Sequence, residues 1–308
     1  KFNVLTRVRR AYHTFVGWGI MVRTGEEVVA ALEQGTRATR RLVEDAKTRP
    51  RTDLLRIEAL LEEAQIGLAR SRANHQAAWR QLAAEVGVLH LPASVAPADL
   101  PVSSPQWDVK DVEGRVLAAN TALKQAEVEV ESAPLALARA KAQAVPNVTV
   151  GGGYTAENID RTAGGMVTVE TALPLWDRNQ GNVLAARAHL ARAEASLHAT
   201  ATRLSRDTAT ASANYEPARQ QVERLTSRVL PRLQESEQQL RRGYQAGAPQ
   251  VTFADVLQAE QALLTARLTL AEARRTLWLA IADLQGLMQL DIGESDNLCR
   301  VRVSAPER

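Results

Sequence analysis

A chain of 308 residues with only 4% aromatic side chains is long enough for one or two domains but poorly supplied for thick, rounded cores. Its 38 basic and 35 acidic residues leave a formal charge of +3 with no block of either sign, which speaks against a nucleic-acid partner. The single cysteine, Cys299, excludes an internal disulfide and a cysteine-based metal site. No run approaches the roughly 18 apolar residues that a membrane-spanning helix needs, which leaves a β-type membrane segment open.

The chain opens on Lys1-Phe2-Asn3, without a signal-peptide pattern, so its first residues read as those of a processed or shortened chain. Val8, Phe15, Val22, Val29 and Val43 then keep a heptad register over the first helical stretch. Gly17, Gly19, Gly25 and Gly35 each weaken that helix by up to about 1 kcal/mol relative to Ala, so breaks or bends are expected there. A second series runs Leu54, Leu61, Leu68, His75 and Leu82, flanked by Ile57, Ala64 and Ala78. His75 falls on the seam and is expected to hydrogen-bond across helices. A third runs Val116, Leu123, Val130, Leu137 and Ala144, with Ala119, Ala126, Ala133 and Ala140 beside it.

Two β-like runs follow, from Pro146 to Tyr154 and from Gly165 to Pro174, around a polar turn at 157–163. Their length of about ten residues is what a transmembrane β-strand requires. Helical periodicity resumes with Val183, Leu190, Leu197, Leu204, Ala211, Ala218 and Leu225, and again with Val256, Leu263, Leu270, Leu277 and Leu284 beside Ala259, Ala266, Ala273 and Ala280. A strict period of seven imposes a left-handed supercoil, and Ala on one seam lets helix axes approach to about 8 Å. Pro134, Pro217 and Pro231 are expected to kink their helices.

The helices repeat. A shift of 202 positions lays Asp53-Leu54-Leu55 on Asp255-Val256-Leu257 and Glu58 on Glu260, while Tyr12 falls on Tyr215 at nearly the same shift. The expected fold is therefore mainly α: long coiled-coil helical hairpins with one β-hairpin, duplicated, the first copy incomplete at its N-terminus. The expected divisions are 1–105 for the first repeat, 106–292 for the second with its β-hairpin at 146–176, and 293–308 for a tail.

The stretch Pro174-Leu175-Trp176-Asp177-Arg178-Asn179-Gln180-Gly181-Asn182, leaving a strand for an Ala-rich helix, resembles the outer-membrane factors of TolC type, in the branch that serves heavy-metal efflux. Pro146-Asn147-Val148, Val229-Leu230-Pro231, Gly243-Tyr244-Gln245-Ala246-Gly247 and Leu284-Gln285-Gly286 extend the resemblance over about residues 8 to 290. Trp176 stands where the family usually has Phe, Asn120-Thr121 where it commonly has Asn-Pro, and Asp255 follows Gly247 by eight positions instead of six.

The resemblance implies a homotrimer that closes a β-barrel in outer-membrane lipid and continues as a helical tunnel through the periplasm. The same resemblance implies that it serves as the export duct of a tripartite pump with a periplasmic adaptor (membrane fusion protein) and an inner-membrane pump, without cofactor or catalytic activity. It also implies that Asp53, Arg56, Asp255 and Gln258 ring the periplasmic mouth, and that the turns carrying Ala46, Lys47, Thr48, Gln245, Ala246, Gly247 and Ala248 dock the adaptor. Read from chemistry alone, Asp53 and Asp255 are equally well first-turn acids favoured by the helix dipole. At the strand–helix junction, Pro174 stops pairing, Trp176 suits the membrane boundary, and Asp177, Arg178, Asn179, Gln180 and Gly181 supply turn and cap groups. A soluble periplasmic adaptor or coiled-coil scaffold without a barrel is the alternative. The histidines at 13, 75, 90, 189 and 198 show no metal-ligand spacing, and Gly151-Gly152-Gly153 lies inside a strand run without the Lys of a phosphate loop.

Overall fold

The computed structural model describes residues 2–45, 50–88, 105–157, 162–171, 178–246, 248 and 250–290. Among these the order is α1 (Phe2–Arg40), a π-helical turn (Arg41–Asp45), α2 (Arg51–Val86), α3 (Val109–Ala119), α4 (Thr121–Ala142), β1 (Val148–Glu157) and β2 (Thr162–Thr171). Then come α5 (Gln180–Arg224), a second π-helical turn (Leu225–Val229), α6 (Leu230–Gln245) and α7 (Phe253–Leu287). The fold is mainly helical with a single antiparallel hairpin among the described residues, as the periodicities predict. The repeat is visible in α2 and α7, which are 36 and 35 residues long and begin 202 positions apart at Arg51 and Phe253.

Contacts divide the chain into two compact units, residues 1–116 with 207–308, and residues 117–206. The helix α5 runs through the division, which therefore follows packing and not the repeat.

In the first unit α7 buries the whole predicted series, Val256, Leu263, Leu270, Leu277 and Leu284, together with Ala266, Ala273 and Ala280. The buried line on α1 is different from the predicted one. It runs Ala11, Phe15, Val16, Val28, Leu32, Thr36 and Thr39, and of the valine series only Phe15 is fully covered. The reason is that α1 packs against both α2 and α7, so two faces are covered and a single heptad seam cannot describe them. Val28 and Leu32 on α1, Leu54 and Ile57 on α2, and Leu257 and Leu264 on α7 form one apolar cluster.

The glycines of α1 do not break it. A Cβ on Gly17 would collide with the Arg275 side chain, one on Gly35 would lie 2.8 Å from Ile57 Cδ1, and one on Gly25 would lie 3.2 Å from Leu68 Cδ1. They are the points where neighbours cross the helix, and that packing outweighs their low propensity. The vacated space over Gly17 lets Arg275 lie above Trp18, 4.9 Å from its ring, while its guanidinium also binds Glu272.

Helices α4 and α5 continue through Pro134 and Pro217. Both prolines are exposed, where water serves the backbone carbonyl that loses its donor. At Pro231 the chain responds: a π-turn at Leu225–Val229 immediately precedes it, with the Leu230 N–H reaching back to the Leu225 carbonyl. An unforeseen break falls at Asn120. This buried residue is extended at φ −67 and ψ 123 and its side chain caps α4, accepting from the Ala122 N–H at 3.0 Å. Tyr215 is also buried; its hydroxyl donates to the Pro105 carbonyl and its ring sits 5.7 Å from Trp107, fastening the chain ahead of α3.

His75 does not make the expected cross-helix hydrogen bond. It stacks on Phe15 at 4.6 Å, and its buried Nε2 has no hydrogen-bond partner among the described residues, because α1 presents an aromatic ring there instead of a polar group. His13 is packed 5.3 Å from Trp278 and 5.5 Å from Tyr12; burial, and then the nearby Arg9, holds its pKa down at about 4. The unfolded chain binds this proton near pH 6.5 and the folded one only near 4. Between those values the unfolded state carries the extra proton, so stability is lost as pH falls through that window. We predict that thermal melts at about pH 7 and about pH 5 show a lower midpoint in acid, and that His13→Phe reduces the difference.

Candidate functional site

The hairpin is where the sequence departs from helical logic. Three adjacent glycines, β-branched Val and Thr, and few charges disfavour helix and favour strand over 148–157 and 162–171. Pairing runs from Val148 opposite Thr171 to Glu157 opposite Thr162. Opposite residues share a face of the sheet, so this register sorts the side chains in a way that alternation alone could not. Val148, Val150 and Tyr154 lie on the same face as Val167 and Val169, while Thr149 and the glycines 151 and 153 share the other face with Met166, Thr168 and Glu170. The Thr168 hydroxyl donates to the Gly151 carbonyl at 3.2 Å. One face is apolar apart from Thr171, the other polar or small apart from Met166.

The apolar face is uncovered. Val150 is 68% exposed, Val167 77% and Tyr154 72%. Among the described residues β1 pairs only with β2, so each strand keeps one unpaired edge. No helix of the described residues is long and apolar enough to cross a membrane.

At the junction, Pro174, Trp176 and Asp177 lie outside the described residues. Asn179 has φ 61, a left-handed conformation that its short polar side chain tolerates. Its carbonyl accepts the Val183 N–H at 3.0 Å, and its side chain donates to the Ala140 carbonyl at 2.8 Å, tying the start of α5 to the end of α4. The Arg178 N–H donates to Gln180 Oε1 at 2.7 Å, and Asn182 Nδ2 donates to Asn179 Oδ1 at 2.5 Å; Gly181 is exposed in the first turn of α5. The described part of the polar run thus begins α5 and ties it to the end of α4. Asn179 is its key residue, and only its left-handed backbone, invisible in sequence, reveals that.

The predicted mouth residues occupy the first two turns of α2 and α7. Asp255 forms a reciprocal cap with Thr252: its carboxylate accepts from the Thr252 N–H at 2.8 Å and from the hydroxyl at 2.7 Å, while the Thr252 hydroxyl accepts the Asp255 N–H at 3.3 Å. These bonds hold its carboxyl below the usual range, the Thr252 side chain contributing most. Asp53 sits in the first turn of α2, its N–H bonded to the Pro50 carbonyl at 3.1 Å, and Arg56 is exposed. Gln258 is exposed and borders a cleft of about 430 Å³ beside Leu225. The helix starts share an end of the first unit, since Leu54 and Leu257, next to these residues, belong to one apolar cluster. Of the turns, Gln245 and Ala246 are exposed and Ala248 is half-buried. Ala46, Lys47, Thr48 and Gly247 lie outside the described residues.

Residues 113–288 match the family described as outer membrane efflux protein. The cobalt-zinc-cadmium resistance protein CzcC of Cupriavidus metallidurans is 26% identical over 253 residues, covering 81% of this chain and 58% of that protein. Among solved structures, the outer-membrane channel OprN superposes with a TM-score of 0.77 at 20% identity, covering 94% of this chain and 66% of its own. The outer membrane protein VceC from Vibrio cholerae gives 0.75 at 19%, covering 94% and 70%, and CusC gives 0.71 at 17%, covering 93% and 68%. At these identities the solved structures establish the fold alone, and the chain spans 58% of the length of its curated relative.

Proposed function

The chain belongs to the outer membrane efflux protein family, and we propose that it is part of the outer-membrane export duct of a tripartite pump that carries heavy-metal ions or other small molecules out of the cell. The observation that carries this reading is the face-sorted hairpin. Ten residues per strand, at a rise of about 3.3 Å and tilted by about 40–45°, give a height near 25 Å, the thickness of the apolar band of an outer-membrane barrel. The Val face meets lipid and the Thr149, Thr168 and Glu170 face meets the lumen.

A hairpin in lipid must have its edges paired, which requires a closed barrel shared among copies or repeats; a homotrimer fits the family. The helices extend into the periplasm as the tunnel wall. The name of the curated relative supports a metal cargo. Drive comes from an inner-membrane pump joined through a periplasmic adaptor, so the duct itself needs no cofactor and no catalytic step.

The register makes the membrane assignment testable. Val150→Arg or Val169→Arg, introduced in the full-length protein, should cost about 2–4 kcal/mol and reduce the assembled form in outer-membrane fractions, whereas Thr168→Arg should be tolerated. Equal tolerance at all three positions would favour a soluble scaffold over a duct.

We further propose that Asp53, Arg56, Asp255 and Gln258 line the periplasmic mouth and that the turns at 46–48 and 245–248 receive the adaptor. The common end of α2 and α7 supports this. The capping role of Asp255 is compatible with it, since a capped carboxylate stays charged. Single-channel recording should show reduced cation preference in Asp255→Asn with an unchanged barrel. Unchanged selectivity would leave Asp255 as a helix cap only.

A further inference from the structure

We infer that the α6–α7 pair carries a proton-operated clasp, formed by Glu237, Arg241 and Glu260, which tightens the pair in mild acid and which the α1–α2 pair lacks. The inference rests on this helix pair and stands whether or not the chain is a duct.

Two carboxylates here share one guanidinium. Arg241 Nε lies 2.5 Å from Glu237 Oε1 one turn back on α6, and Arg241 Nη2 lies 3.8 Å from Glu260 Oε1 on α7. The two acids are sheltered, with 12% and 18% of their side chains exposed. One half-exposed cation therefore faces two sheltered anions, and it lies close to only one of them. Glu237 holds the close contact, which leaves Glu260 as the group that takes a proton. Burial pushes the Glu260 carboxyl above its ordinary value; Arg241 opposes the rise and Glu237 adds to it. These two residues, both on α6, are the charges that act on it.

The other copy of the repeat serves as an internal control. Glu58, the counterpart of Glu260, has its own partner, with Arg40 Nη2 2.8 Å away across the α1–α2 pair. At the shift of 203 that lays Tyr12 on Tyr215, Gln34 occupies the place of Glu237 and Ala38 that of Arg241. Arg40 also feels Glu44, but in the first pair the acid across the helices is half-exposed and close to its cation, whereas in the second Glu260 is more sheltered, 3.8 Å from a cation that Glu237 already engages.

The clasp also sits at a sensitive level. Towards the turn, Tyr244 packs 6.3 Å from Phe253, while away from it the chain passes into the π-turn at Leu225–Val229 and the cleft of about 430 Å³ beside α7. The clasp thus lies between an aromatic pair at the turn and a cleft beside the π-turn, where a change in its charge can alter how firmly α6 and α7 hold together.

A carboxyl whose folded pKa is raised contributes its full stabilisation in acid and loses it as pH rises through the folded value. Hydrogen exchange on the full chain, corrected for intrinsic rates, tests this between about pH 7.5 and about pH 5. The wild type should gain several-fold protection over 230–245 and 253–268 in acid, with no comparable gain around the Arg40–Glu58 pair. Glu260→Gln, which mimics the protonated acid, should already show the acid level of protection at neutral pH and lose the response. Glu237→Gln, which removes the surplus charge by the other route, should do the same. Protection over α6–α7 that is independent of pH in the wild type would overturn the clasp, as would a full response retained by Glu260→Gln.

Discussion

A pair of antiparallel strands satisfies only about half of its own backbone hydrogen-bonding groups, because the outer edge of each strand points away from its partner. In β1 and β2 this constraint combines with a second one, an apolar face of Val148, Val150, Tyr154, Val167 and Val169 that no described residue covers. Water could serve the edges but would penalise the face, and lipid could cover the face but would leave the edges unpaired. A closed barrel in lipid meets both demands at once, and the proposed function rests on that property of the hairpin.

The helices solve a different problem, that of building long walls from little material. Their seams are Ala and Gly where most bundles would place larger side chains: Ala266, Ala273 and Ala280 on α7, Ala126, Ala133 and Ala140 on α4, and Gly17, Gly25 and Gly35 on α1. Such seams bury little apolar area per residue, and each contact stabilises modestly. The larger side chains are therefore concentrated. Phe15, Trp18, His75, Trp79, Arg275 and Trp278 gather where α1 meets α2 and α7, and the apolar cluster around Leu32, Ile57 and Leu257 gathers near the helix starts.

How much of this was legible in the sequence depended on whether one covered face or several decided a residue's role. The heptad of α2 reports one dominant seam, and Leu54, Leu68 and Leu82 are buried as it predicts; on α7 Val256 and Leu284 are buried too, but so are Leu257, Leu264, Trp278 and Ile281 off the series, because α1 and α6 both pack there. The first helix is covered on two sides, so its valines misled while Val16, Val28 and Leu32 carried the burial. Glycine and proline were read as local penalties, yet at Gly17 and Pro134 the outcome was set by a neighbour or by solvent. The strands were visible as runs, but the identity of the apolar face needed the register, which no periodicity supplies. Asn179 reads in the sequence as one of several turn and cap groups and Asn120 as half of an Asn-Thr pair, and the particular role of each appears only once its backbone is known.

The central claim is that the hairpin is one part of a barrel closed by several copies. The most direct test is the mass of the full-length protein extracted from outer membranes in mild detergent, measured without cross-linking. The account predicts a species of three copies, with Val150→Arg shifting it toward single chains. A species of one copy, inserted in the membrane and stable there, would contradict it.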